Sequence, residues 1–330
     1  MDSALQALCG IKDSGAWHRR WCERLESAPA GSLRAVADLQ ASMLWSVALP
    51  MLERLRALAA AGKRPLLALN GPVGAGKTTL ARCLEALGPE LGLRLVVASI
   101  DDAYLPWEQR RNAMAGNPFD VSRVPPGSHD TALLCARLES WKDGGPLQLP
   151  RFDKTLRAGE GDRSGESFHQ ADAAVLEGWL LGCRPLGKDL IGRLQHWAED
   201  PILAELTPEE RRWLHRWDQA LWQYVPLGDP AQGLVDELWV LHPCRWDLPM
   251  RWRLQAEARQ RGAGGGALTA TAVAAIVRAS LASLPPQLYQ EPLLDRANVA
   301  VELDGRRRCL RTWSPLDPQS SVSSVSPRTG

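Results

Sequence analysis

The stretch Gly71-Pro72-Val73-Gly74-Ala75-Gly76-Lys77-Thr78 constrains this chain more than any other. Its spacing, G-x-x-x-x-G-K-[ST], is that of a phosphate-binding loop. By chance such a pattern arises in a chain of this length at a level on the order of 1%. The context strengthens it: Pro65 to Asn70 is an apolar run of strand length, and Leu80, Cys83, Leu84 and Leu87 recur at helical spacing. The loop therefore joins a buried strand to a helix. Its glycines let the backbone curl until successive N–H groups point inward at phosphate oxygens, and the helix N-terminus adds a favourable dipole. Residues Gly71 through Thr79 form the candidate nucleotide site, with Lys77 reaching the β- and γ-phosphates and the Thr78 hydroxyl on Mg²⁺.

Composition narrows the classes. The chain has 330 residues and a formal net charge of +1, enough for one large α/β domain and no electrostatic case for nucleic acid or an anionic membrane. Seven scattered cysteines without a C-x-x-C pair fit a reduced, cytoplasmic protein better than a disulfide or zinc framework. No apolar run approaches ~18 residues and the N-terminus lacks signal-peptide character, so a soluble monomer or small homo-oligomer is expected.

Residues 1–64 read as a helical extension with a kink or break at Pro50, packing on the nucleotide core and showing no chemistry; partner binding is the alternative. A kinase-sized domain then runs over 65–313, and the Ser- and Pro-rich 314–330 is expected to be disordered. Leu93 to Ile100 is a second strand, ending in Asp101 and Asp102. In open parallel α/β sheets ligands sit beyond the carboxyl ends of strands, so these carboxylates point at the crevice of the phosphate loop. An extended backbone would send the two side chains to opposite sides. Residues 105–170 are irregular, with three charged islands beside Gly or Pro that together look like a substrate pocket. Ala171 to Trp179 is a third strand carrying Glu177 at its end, where an acidic residue downstream of a phosphate loop holds Mg²⁺ or its waters. Leu238 to Leu241 and Val299 to Leu303 supply two more strands. Between them, Arg251 and Arg253 precede a glycine run, Gly262 to Gly266, in the manner of a lid over 245–267 that closes on transferring phosphate.

These pieces resemble the D-glycerate 3-kinases, P-loop kinases related to phosphoribulokinase, uridine kinase and pantothenate kinase. The resemblance covers about residues 65–311. It rests on the phosphate loop, Ser99-Ile100-Asp101-Asp102-Ala103-Tyr104, Pro126-Gly127-Ser128-His129-Asp130, Leu149-Pro150-Arg151-Phe152-Asp153-Lys154, Gly161-Asp162-Arg163 and Glu177-Gly178-Trp179. The family usually carries Phe at the position of Ala103 and often Thr at that of Ser128. The resemblance implies an α/β P-loop fold with a mostly parallel five-stranded sheet flanked by helices. It also implies ATP and Mg²⁺ as cofactors, a small hydroxy acid as acceptor, and Asp101 as general base. Asp102, Tyr104, Arg123, His129, Asp130, Lys154 and Arg163 would then line the acceptor site, with Arg163, Arg123 or Lys154 on the acceptor carboxylate. The alternatives are a kinase of a nucleoside or of pantothenate, or a non-catalytic ATP-binding regulator. No N-K-x-D tetrad for guanine and no L-S-G-G-Q motif occurs.

Overall fold

The structure is a computed structural model that describes residues 3–262 and 268–315. The glycine run beyond Gly262 and the tail from 316 lie outside the described residues. The strands are β1 (Leu66–Asn70), β2 (Leu95–Ser99), β3 (Leu147–Asp153), β4 (Asp162–His169), β5 (Ala173–Gly178), β6 (Glu237–Pro243), β7 (Val299–Leu303) and β8 (Cys309–Trp313). The main sheet runs β2-β5-β1-β6-β7-β8, and β3 pairs with β4 in a separate hairpin. β1 and β5 are buried at every residue, as apolar strands of a parallel sheet covered on both faces must be.

The five expected strands are present and parallel, but the sheet has a sixth, β8, antiparallel to β7. An edge strand needs only one covered face, so Cys309–Trp313 carries no apolar run to announce it. The β3–β4 hairpin corrects the irregular reading of 105–170. β4 is Asp-Arg-Ser-Gly-Glu-Ser-Phe-His and mostly half-buried or exposed, so it has no apolar alternation to detect.

Alternate residues of β1 feed two cores. Leu66 and Ala68 join Trp141, Trp217 and Leu221 on one face. Leu67 and Leu69 join Leu80, Leu84 and Trp252 on the other, together with Trp21, Met43 and Leu52 from the N-terminal helices. The N-terminal helices thus share a core with the sheet through residues between Leu5 and Leu55. Arg54 bonds Glu237 of β6 at 2.5 Å, which ties the extension to the sheet, and within the extension the Trp21 indole donates to Glu53 at 3.0 Å.

Pro50 does not break its helix. Helix persists from Ala41 to Ala60, with a π turn at Leu44–Ala48 in which the Leu49 N–H reaches back five residues to the Leu44 carbonyl. Pro50 follows it in the first turn of the α-helical stretch Leu49–Ala60, where a missing N–H is tolerated. Among the described residues no single helix is long and apolar enough to cross a membrane.

Candidate active site

β1 ends at Asn70, and the chain turns through the glycine loop into the helix Lys77–Leu87. Gly74 and Gly76 both lie at positive φ, +79° and +95°. Gly74 has a second reason to lack a side chain. A Cβ there would stand 2.8 Å from the Cβ of Trp252, on the helix Leu248–Gly262 packed over the loop. Any larger residue would push that helix off. The Lys77 ammonium donates to the carbonyls of Gly71 at 2.7 Å and Pro72 at 3.3 Å, and lies 3.8 Å from Glu177. Asn70 is fully buried and donates to the carbonyls of Trp179 and Leu181, which ties the end of β1 to the end of β5.

The loop opens on a cavity of about 340 Å³. Val73 through Thr79 line it, as do Asp101, Lys154, Glu177, Trp179 and Arg253. Gly71 and Pro72 are buried outside that lining. Register explains the convergence: Glu177 pairs with Leu69 of β1 and with Ser99 of β2, so three neighbouring strands end at one level. Burial raises the pKa of Glu177, against the pull of Lys77. Thr78 and Glu177 flank Lys77 in the lining, and a hydroxyl and a carboxylate are the hard oxygen donors Mg²⁺ takes. Among the described residues no cluster of three His, Cys, Asp or Glu could hold a metal without help. The donor set therefore suits an ion that shares its coordination with phosphate oxygens.

Asp101 and Asp102 do diverge, although not for the expected reason. Ile100–Ala103 is a 3₁₀ turn, not extended chain. In a 3₁₀ turn successive side chains differ by about 120°. Asp101 faces the cavity and accepts from Lys154 at 2.8 Å. Burial works against its charge, but the Lys154 ammonium prevails and holds its carboxyl well below the usual range. Asp102 looks the other way, onto a smaller cavity beside β2 and β3, and meets the Phe152 N–H at 3.4 Å. Burial raises its pKa.

The three islands of the insertion do converge, yet mostly on each other. Arg123 donates to the carbonyls of Gly159 and Glu160 at 2.9 and 2.8 Å. Arg163 donates to the Tyr104 carbonyl at 2.6 Å and to Asp130 at 3.2 Å, while Asp130 caps the helix Thr131–Lys142 through the Leu133 N–H. Tyr104 is buried and stacks on His129 with ring centroids 4.2 Å apart. His129 bonds the Tyr224 hydroxyl through Nδ1 at 2.9 Å, and burial pushes its imidazole down to about 4. Gly161 is held at φ +81°, where a Cβ would lie 2.4 Å from the Phe152 ring. Of the charged residues expected on the acceptor, only Lys154 lines the phosphate-loop cavity. Arg123 and Arg163 are not in its lining: Arg123 turns to two backbone carbonyls, and Arg163 to a carbonyl and the Asp130 carboxylate. Arg251 is exposed outside the cavity, whereas Arg253 lines it and pairs with Glu257 at 2.5 Å.

Two arginines carry more of the architecture than the sequence signals. Arg110 is fully buried and donates to four carbonyls, those of Leu105, Ser122, Glu160 and Gly161, with its guanidinium 4.9 Å from the Phe152 ring centroid. Arg307, in the β7–β8 hairpin at φ +61°, donates to the Gly74 carbonyl at 2.6 Å and the Trp252 carbonyl at 2.8 Å. It clamps the phosphate loop to the helix above it. The run Arg306-Arg307-Arg308 after Asp304-Gly305 is a hairpin signal, but nothing local tells which arginine turns back to the loop.

No family model matches the chain. The chain is similar to the chloroplastic D-glycerate 3-kinase of Arabidopsis thaliana, 29% identical over 213 residues, 60% of this chain. It spans only 42% of that relative's length. An uncharacterized kinase of Schizosaccharomyces pombe, mug58, is 28% identical over 209 residues, 59% of this chain and 71% of that protein. Among solved structures, the D-glycerate 3-kinase from Cryptococcus neoformans var. grubii serotype A matches with a TM-score of 0.66 at 25% identity, over 80% of this chain and 99% of that one. The fold is that of a P-loop kinase, and the proteins it resembles are kinases.

Proposed function

We propose that this chain transfers the γ-phosphate of ATP to a hydroxyl of D-glycerate, giving phosphoglycerate and ADP. The observation that carries the reading is the placement of Lys77, Thr78, Glu177, Asp101 and Lys154 along one cavity. The similarity to D-glycerate 3-kinases supplies the acceptor.

In this reading the loop N–H groups and Lys77 cradle the β- and γ-phosphates, and Thr78 and Glu177 are the residues that would hold Mg²⁺. The ion, when bound there, would offset the charge that builds on the transferring group. Asp101 accepts a hydrogen bond from the acceptor hydroxyl, orients its oxygen in line with the γ-phosphorus, and takes the proton as the new O–P bond forms and the bond to ADP breaks. Held ionised by Lys154, it is a weak base. That is tolerable because phosphoryl transfer runs through a loose transition state, in which orientation counts for more than early proton removal. Lys154 is the cation best placed for the acceptor carboxylate. Engaging it would draw the ammonium off Asp101 and restore some of its basicity. Arg253, on the helix that serves as lid, faces the transferring charge. Tyr104, His129, Asp130, Arg123 and Arg163 act behind this set, by fixing the insertion that carries Lys154. The seven free cysteines suit a reducing, cytoplasmic setting.

The test is ADP release from ATP·Mg²⁺ with D-glycerate, L-glycerate, uridine and pantothenate offered in turn. D-glycerate is expected to be the productive acceptor. Turnover confined to uridine or pantothenate would move the chain to another acceptor class, and nucleotide binding without turnover on any would make it a regulator.

A further inference from the structure

The cavity extends well past the phosphate loop, and its far end belongs to a segment in which the sequence shows no chemistry. Sheet order sets its direction. Asp101 follows β2 at one edge of the sheet, Glu177 ends β5, the loop follows β1 in the middle, and Arg307 turns between β7 and β8 at the other edge. Beyond the loop on that side, the lining includes Asp38, Leu39 and Gln40 of the connection between two N-terminal helices, Met43 of the second, and Arg306. Two bonds hold this corner in place. Ser32 donates to the Ala86 carbonyl of the loop's own helix at 3.0 Å, and the Cys309 N–H of β8 donates to Ser42 at 3.0 Å.

In-line transfer requires the γ-phosphate to face Asp101, so the rest of the nucleotide must leave in the opposite direction. That direction ends at the half-buried Leu39, backed by the buried Met43, which together offer an apolar wall to the face of a base. Beside them stand Arg306, a planar cation that can stack on a π-system, and the exposed amide of Gln40, which has both a donor and an acceptor for a base edge. We infer that residues 38–43 of the N-terminal extension form the nucleobase site, so that the extension is part of the nucleotide-binding machinery. This rests on the reading of the cavity as an ATP site.

Photolabelling with 8-azido-ATP, followed by tryptic mapping, tests it on the intact chain. Trypsin cuts after Arg34 and Arg54, so label is expected in peptide 35–54 and should be displaced by excess ATP. Displaceable label confined to other peptides, or no displaceable label at all, overturns the assignment. A Leu39→Ser variant gives the second measurement. ATP should bind it about tenfold more weakly, the worth of roughly one buried aliphatic group, while inorganic tripolyphosphate binds as in the wild type. Equal loss of both ligands, or loss of neither, sinks the base site. Labelling of 35–54 in a protein that fails to phosphorylate D-glycerate would leave this site standing and remove only the acceptor.

Discussion

In the phosphate loop, one charged side chain is held by the backbone of its own segment: Lys77 rests on the carbonyls of Gly71 and Pro72. In the insertion between β2 and β5 the relation is inverted, and charged side chains hold backbone that belongs to other segments. Arg110 gathers carbonyls spread from Leu105 to Gly161, and Arg163 reaches back to Tyr104. Both regions are rich in glycine and charge, and both look functional as text. The loop places its cation in the cavity lining while holding it on its own carbonyls. The insertion uses most of its cations as internal scaffolding and offers one, Lys154, to the cavity. An arginine beside a glycine is therefore poor testimony to substrate binding until its acceptors are known.

The largest effect expected from this contrast lies in the loop. Lys77→Ala should abolish turnover yet melt near the wild-type temperature, because the ammonium's hydrogen bonds go to the edges of its own loop and its ion pair with Glu177 is long, 3.8 Å. Substantial turnover in a kinetic assay of that variant would break the assignment. Next comes the turn after β2. Asp101→Asn should lower kcat by about 10²–10⁴-fold, the usual worth of a general base, with nucleotide Kd retained. Asp102→Asn, facing the other cavity, should cost far less. If Asp102→Asn were the crippled variant, the two carboxylates would have to exchange roles.

The insertion should respond the other way, in stability before chemistry. Arg110→Met leaves four carbonyls short of a donor, and unpaired buried polar groups cost about 1–3 kcal/mol each before water and local relaxation relieve them. A net loss of roughly 3–5 kcal/mol is expected from urea unfolding. Any folded fraction should bind ATP normally but handle the acceptor poorly. Wild-type stability with weakened ATP binding would erase the distinction between the two regions.

The smallest effect is a pH slope. His129 is buried neutral, its pKa lowered from 6.5 to about 4. Between those values the unfolded chain binds a proton that the folded one refuses. Stability is thus complete above pH 6.5 and drains as pH falls toward 4, by at most about 3 kcal/mol from this residue. His129→Gln should flatten that part of the urea midpoint against pH. An unchanged slope would mean that other groups produce it.

Short-range patterns made the parallel strands and the phosphate loop with its helix legible, because each is specified within a few residues. β8 and the β3–β4 hairpin were not legible, since strands with an exposed face lack the apolar signal that marks a buried one. The divergence of Asp101 and Asp102 was foreseen on the wrong geometry, a 3₁₀ turn standing where extended chain was expected.

What the sequence by itself determined was the strand, glycine loop and helix around Lys77: G-x-x-x-x-G-K-T between an apolar run and a helical stripe leaves a chain little else to build there. What only the tertiary structure decided was the employment of its charged residues. Arg123, Arg163 and Arg251 do not line the cavity, whereas Lys154 and Arg253 do. Arg307 sits on the Gly74 carbonyl from 233 positions away. The physical reason is that a guanidinium satisfies carbonyl, carboxylate and phosphate alike. Which of them it meets depends on what the fold carries within about 3 Å of it, and sequence spacing does not encode that distance.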